Sequence, residues 1–337
     1  MRMEIGKKTV AALAGIMFLM LGSVSPTKAN SEYEKIELSM TVNGTDIATD
    51  TKVAQLFAKM VSDASGGRIT VNVFPNDQLA GGNATKGIEM VSVGAVDLAA
   101  YATSTMSVLD EQLLVGTIPW AFDSYKQARQ IIDTTGGEYY AKVLAKQGLT
   151  FLGSTHNGFR QISNSKRAVK TPDDVQGLKI RVPGGEVYIK FFKELGADPV
   201  AMSWSETFTA IQQKTIDGQE NGFSVTNSAK MYEIQKYMTV WNYTYENYLF
   251  VASGELFDSL KPQTQQLIRE KAREACEWGR DLVEREQEEL KVKFTGQGME
   301  ITELSPEELA PFKAAVTDLR AYLQKKYGSE ACAAFGM

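Results

Sequence analysis

The chain has 337 residues with 36 Lys plus Arg against 41 Asp plus Glu; cutting after Ala29 would leave 308 residues with 32 against 40, a formal charge of −8. That acidic balance disfavours a nucleic-acid surface, and no stretch beyond the first 29 residues approaches the roughly 20 apolar residues needed to span a bilayer. A chain of this length can bury a sizeable core and lies near the size at which one core gives way to two domains.

Residues 1–29 read as a secretory signal, with Arg2, Lys7 and Lys8 ahead of an apolar core from Val10 to Leu21 and Thr27-Lys28-Ala29 before the cut. No cysteine follows that core, which argues against a lipoprotein anchor. The remainder is expected to be exported and free of that segment. Cys276 and Cys332 are the only cysteines; export permits a disulfide, while two separate buried thiols fit equally well.

Ile36 to Met40 predicts a first strand, followed by a polar turn containing Asn43. Val53, Leu56, Phe57, Met60 and Val61 recur at helical spacing over Thr51 to Ala64, and Ser65-Gly66-Gly67 stops that helix. Alternation returns from Arg68 to Phe74, so the chain begins strand, helix, strand, the start of an α/β domain. A helix over Lys86 to Val93 leads to a third strand, Asp97 to Tyr101, whose end places Tyr101 and Thr103 as cleft candidates. Leu113-Leu114-Val115 is another apolar segment, Ser124 to Lys146 a helix, and Thr150 to Ser154 a strand leaving this domain.

Gly158 to Gly222 carries the binding chemistry. Arg160 to Ser163 is expected to pair with Leu178 to Val182, and Thr171-Pro172-Asp173-Asp174 forms a capped helical turn. Arg181 closes an apolar alternating run before Pro183, so its guanidinium projects from a strand end, suited to grip a carboxylate through two parallel hydrogen bonds. Tyr188 to Leu195 is helical, Ser203 and Glu206 have capping-box spacing before a helix reaching Gln213, and the loop after it presents Asp217 to Asn221. Tyr237 to Phe250 returns as a crossing strand, Pro262 starts a helix that reaches Phe294, and Ser305-Pro306 starts one running to Tyr327.

Several of these stretches together resemble the extracytoplasmic solute-binding proteins of tripartite ATP-independent periplasmic (TRAP) transporters, the DctP type, over nearly all of the mature sequence. They are Ser65 to Arg68, Phe74 to Gly82, Gly94 to Asp97, Gly158-Phe159-Arg160, Asp173 to Pro183, Trp204-Ser205-Glu206 and Asp217 to Asn221. The resemblance implies an α/β, two-lobed periplasmic-binding-protein fold of type II with a long lobe-spanning helix. The expected division is lobe I from 30–155 and 245–280, and lobe II from 156–244 and 281–337. It implies that Arg181 is the principal carboxylate-binding arginine, with Asn221 nearby, Arg160 as a second arginine and Trp204 as an aromatic neighbour that either stacks on ligand or packs in the wall. Asn43 and Asn83 are polar candidates from the first lobe, and Tyr243, Glu246 and Asn247 are candidates to read the distal end of the ligand.

The function so implied is a monomeric periplasmic receptor that captures a small organic anion, such as a sugar acid or a hydroxy or keto acid, and delivers it to small and large integral membrane subunits. No cofactor and no metal is expected. Two other classes remain: a secreted hydrolase or lyase working through acids such as Asp217 and Glu220, and a noncatalytic small-acid sensory module. The only histidine, His156, supplies neither a triad nor a metal cluster.

Overall fold

A computed structural model describes residues 32–337; the expected signal segment, 1–29, lies outside the described residues. Among them, eleven strands form two sheets. The first sheet contains β1 (Ile36–Val42), β2 (Ile69–Phe74), β3 (Leu98–Ala102), β4 (Leu149–Phe159) and β10 (Tyr245–Ser253), in the order β2-β1-β3-β10-β4. The second contains β5 (Gln161–Asn164), β6 (Lys179–Val182), β7 (Asp198–Ala201), β8 (Gly218–Asn221), β9 (Tyr237–Val240) and β11 (Glu300–Glu303), in the order β11-β9-β5-β8-β6-β7. Helices cover these sheets, and the result is a two-lobed α/β fold. No helix of the described residues is long and apolar enough to cross a membrane.

The strands change sheet at two points. One residue, Arg160, separates β4 in the first sheet from β5 in the second, and Trp241 to Thr244 separate β9 from β10. The Arg160 amide donates to the carbonyl of Thr244 at 2.9 Å, tying the two crossings side by side. β4 stays in the first sheet as far as Phe159, beyond the boundary expected at residue 155.

The helix Pro262–Gly296 has 35 residues, about 52 Å at roughly 1.5 Å per residue. Its first half buries Leu267, Ile268, Ala272, Ala275 and Cys276 in the core of the first lobe, and its end buries Leu290 and Phe294 against Phe223 and Tyr232 of the second. Its apolar stripe looks broken in the sequence because it faces two lobes in succession. A second core runs under the hinge from Tyr140 through Tyr188, Phe191, Trp241 and Tyr243 to Phe312 and Phe335, so the C-terminal helices are packed on both lobes.

Several sequence expectations need correction. Asp217 to Asn221 is not a loop: Gly218–Asn221 is strand β8, buried between β5 and β6. Consequently β5 pairs with β8 and β9 rather than with Leu178 to Val182. Polar residues disguise this strand: Glu220 accepts from Arg160 and Tyr243 and Gln219 donates to Ser163, so buried polar partners stand where a strand usually shows apolar alternation. The helix expected over Ser124 to Lys146 is two, Tyr125–Ile132 and Thr135–Ala145, since Thr134 has φ −126 and ψ −114, outside the helical region. The one from Pro306 breaks at Val316 into Pro306–Ala315 and Thr317–Tyr327. Ser203 makes no side-chain cap, whereas Ser305 and Glu308 close a reciprocal capping box at 3.3 and 2.8 Å. Leu113 to Val115 lie in a 3-10 helix, Glu111–Thr117. Cys276 and Cys332 are both buried and unpaired.

Candidate functional site

The register of the second sheet sets up the site. β6 and β8 run parallel with Arg181 opposite Gln219, so Arg181 and Asn221 rise on the same face near the carboxyl ends of adjacent strands. Both side chains border a cavity of about 40 Å³ that the two lobes enclose together. Asn43, Ala102, Ser104, Thr105 and Tyr248 close it from the first lobe, and Pro183, Trp204 and Ser228 from the second. A wider space of about 380 Å³ adjoins it, sharing Asn43, Trp204 and Ser228, with Phe208 and Met231 on its walls.

The two arginines of the cavity differ in what holds them. Arg160 is 2% exposed. Its Nε and Nη2 donate to the Glu220 carboxylate at 2.6 and 2.7 Å, Nη2 also to the Glu220 carbonyl at 2.9 Å, and Nη1 to Glu246. Tyr243 adds a donor to Glu220 at 2.7 Å and Tyr188 one to Glu246 at 3.2 Å. Burial opposes charge on Arg160, but Glu220 and Glu246 hold its pKa well above the ordinary range. Burial raises that of Glu220, and Arg160 pulls it back.

Arg181 is 4% exposed and has no carboxylate within salt-bridge distance among the described residues. Nε and one Nη2 hydrogen donate to the Met202 carbonyl at 3.0 and 2.9 Å, and the guanidinium lies 5.2 Å from the centre of the Trp204 ring. Nη1 and the second Nη2 hydrogen, the fork that fits a carboxylate, have no partner among the described residues. Burial pushes the pKa of Arg181 down to about 10; it remains cationic at neutral pH. A buried cation without its counter-ion costs several kcal/mol, which an anion in the cavity would offset.

Of the sequence candidates, Arg181, Arg160, Asn221, Trp204 and Asn43 are brought together on this cavity. The others lie elsewhere. Asn83 caps the helix Ala84–Ser92, its Oδ1 accepting from the Lys86 amide at 3.0 Å. Tyr101 faces that helix, with its hydroxyl 2.5 Å from Asp77 and so near Gly87 that a Cβ there would lie 2.2 Å away. Strand alternation puts its neighbour Ala102 on the cavity instead. Thr103 is buried at the start of the short helix Thr103–Met106. Tyr243 and Glu246 belong to the Arg160 network, and Asn247 accepts from Tyr245 at 2.7 Å. His156 is buried, with Nδ1 2.5 Å from the Tyr245 hydroxyl and Nε2 3.1 Å from Glu284; burial pushes its pKa down to about 4.

Sequence reasoning missed Asn157, Ser104, Thr105 and Tyr248. The available signal for Asn157 was the polar run Thr155-His156-Asn157 inside a strand that is buried from Ser154 onward.

Two α/β lobes, paired crossings, a bridging helix and a cavity between the lobes that ends on an unpaired cation define a periplasmic solute-binding protein. The chain belongs to the bacterial extracellular solute-binding protein family 7, DctP, whose model matches residues 40–326. It is 33% identical to a solute-binding protein of Verminephrobacter eiseniae over 90% of this chain and 89% of that one. It is 32% identical to the C4-dicarboxylate-binding protein DctB of Bacillus subtilis over 76% and 73%. Its fold is similar to a TRAP periplasmic solute-binding protein from Ralstonia eutropha H16 bound to (S)-2-hydroxy-2-methyl-3-oxobutanoate, at a TM-score of 0.86 and 28% identity over 89% and 98%. The protein is thus a non-catalytic, DctP-type receptor of a TRAP transporter and works in the periplasm.

Proposed function

We propose that the cavity receives the carboxylate of a small organic acid on the free fork of Arg181, with the Asn221 amide as a further neutral donor and the Trp204 ring as its wall. The observation that carries this reading is Arg181 itself, a buried guanidinium that lacks a counter-ion while Arg160 beside it has two. A bidentate carboxylate replaces the hydration that burial removed, and gains value as solvent is excluded. The range of acids bound by relatives, a C4-dicarboxylate for one and a hydroxy-keto acid for another, supports the class. Within it, a sugar acid or a hydroxy or keto acid is the reading adopted here.

The division that follows the strand pairing gives lobe I residues 32–159 with 245–280 and lobe II 160–244 with 281–337, hinged where the strands cross near Arg160 and Thr244. Closure brings the two cavity walls onto the acid and presents an altered outer surface to the small and large membrane subunits, to which the monomeric receptor delivers it.

Native mass spectrometry of gently purified protein, followed by ligand release, would identify the acid, and calorimetric titration would then test the assignment. Arg181→Ala is expected to weaken binding by about 30-fold or more, the cost of removing one partner of a buried charged pair. Because the variant also removes an unpaired buried charge, its ligand-free melting temperature should stay level or rise. Wild-type affinity in Arg181→Ala would overturn the proposal.

A further inference from the structure

Asn157 lines the cavity near the end of β4, is 4% exposed, and entered none of the roles above. Its amide orientation is fixed by its neighbour. The Glu246 carboxylate accepts from the Ser104 amide at 2.8 Å, from Tyr188 at 3.2 Å, from Arg160, and from Asn157 Nδ2 at 2.6 Å. A carboxylate surrounded by four donors acts only as an acceptor, so the Asn157 NH2 must face it. Oδ1 is left buried with no hydrogen-bond partner among the described residues. Buried carbonyl oxygens are almost always paired, so this one marks a place for a donor carried in with the ligand.

Charge limits the ligand from the other side. Arg160 and Arg181 are the cationic residues lining the cavity, and Arg160 is already shared by Glu220 and Glu246. These four groups sum to zero. One carboxylate on Arg181 is accommodated, whereas a second inside this cavity would find no free cation among its described lining residues; in the adjoining space Lys230 lies 4.0 Å from Glu233 and shares the lining with Asp77.

We propose that Asn157 is a specificity-determining residue that accepts a hydrogen bond from a ligand hydroxyl, so that the receptor selects hydroxylated monocarboxylates over keto acids and dicarboxylates. This rests on the carboxylate assignment to Arg181 and deepens it. Glu246 acts through Asn157 as a positioning residue: it holds the amide with its oxygen free.

The test is a calorimetric panel on the mature protein in matched sets: D-erythronate, butanoate and succinate; 2-hydroxybutanoate and 2-oxobutanoate; gluconate and hexanoate. At least one hydroxylated acid should bind about tenfold or more tighter than its counterpart without hydroxyls, because a site built to pair a hydroxyl discriminates strongly against its absence. That ratio should fall towards one in Asn157→Ala and in Asn157→Ser, whose folding is checked by ligand-free thermal melts. The inference is overturned if succinate or 2-oxobutanoate matches the hydroxylated acids, if none of the hydroxylated acids binds, or if the ratio persists in a folded Asn157 variant. Should both variants fail to fold, the wild-type panel alone decides. Arg181→Ala separates the two readings: if it keeps wild-type affinity for the hydroxylated acid, the carboxylate assignment has failed, whereas a retained Arg181 effect with no hydroxyl discrimination rejects Asn157 only.

Discussion

Two arginines of one site are separated by their partners. Arg181 is short of an anion and Arg160 is surrounded by them, so the same truncation should have different consequences. Arg160→Ala would leave Glu220 and Glu246 buried without the cation that neutralises them. Breaking a buried pair from one side costs about 3–5 kcal/mol, a large part of a stability that for most proteins is about 5–15 kcal/mol. Urea unfolding of Arg160→Ala should therefore show a loss of that order before any ligand is added, and a stability within about 1 kcal/mol of wild type would show that the network does not hold the hinge. Neither outcome could be guessed from spacing, since Glu246 is 86 residues from Arg160 along the chain.

At the scale of elements, the long helix is kept at its distance by a missing side chain. Gly279 lies where a Cβ would be 2.4 Å from Val53 Cγ2 and 2.5 Å from Thr155 Oγ1, closer than atoms can pack. Alanine there would gain about 1 kcal/mol of helix propensity. Overpacking costs about 1–3 kcal/mol and sets the sign, because β4 and the helix Thr49–Ala64 behind those atoms are themselves buried. Gly279→Ala should thus lower the melting temperature, and an unchanged or raised value would mean that the helix can shift outward at no cost. The helix was legible from Pro262 onward, but its service to both lobes was not. The mis-assignment of β8 has the opposite cause: a fully buried strand reading Gly-Gln-Glu-Asn resembles a turn until its partners are known.

For the whole molecule, the walls of one cavity come from both lobes, so ligand and closure are linked. A ligand that touches both walls stabilises the closed arrangement by its differential affinity for it. Small-angle scattering should show a smaller radius of gyration when the released acid is added to the wild type and no change for Arg181→Ala. An identical radius with and without saturating acid would reject closure.

The sequence by itself determined most of the alternation of strands and helices, the helix starts at Pro262 and Ser305-Pro306, and the arginine at the end of β6, while β8 with its asparagine read as a loop. These are local properties, written in spacing of two, three or four residues. Tertiary structure alone decided which polar groups would satisfy one another: Arg160 with Glu220 and Glu246, Tyr101 with Asp77, Arg181 with the Met202 carbonyl but no carboxylate, and Asn157 Oδ1 with no partner among the described residues. Burial makes each such pairing worth more than any local preference, and it acts between residues whose separation along the chain carries no information about their distance in space.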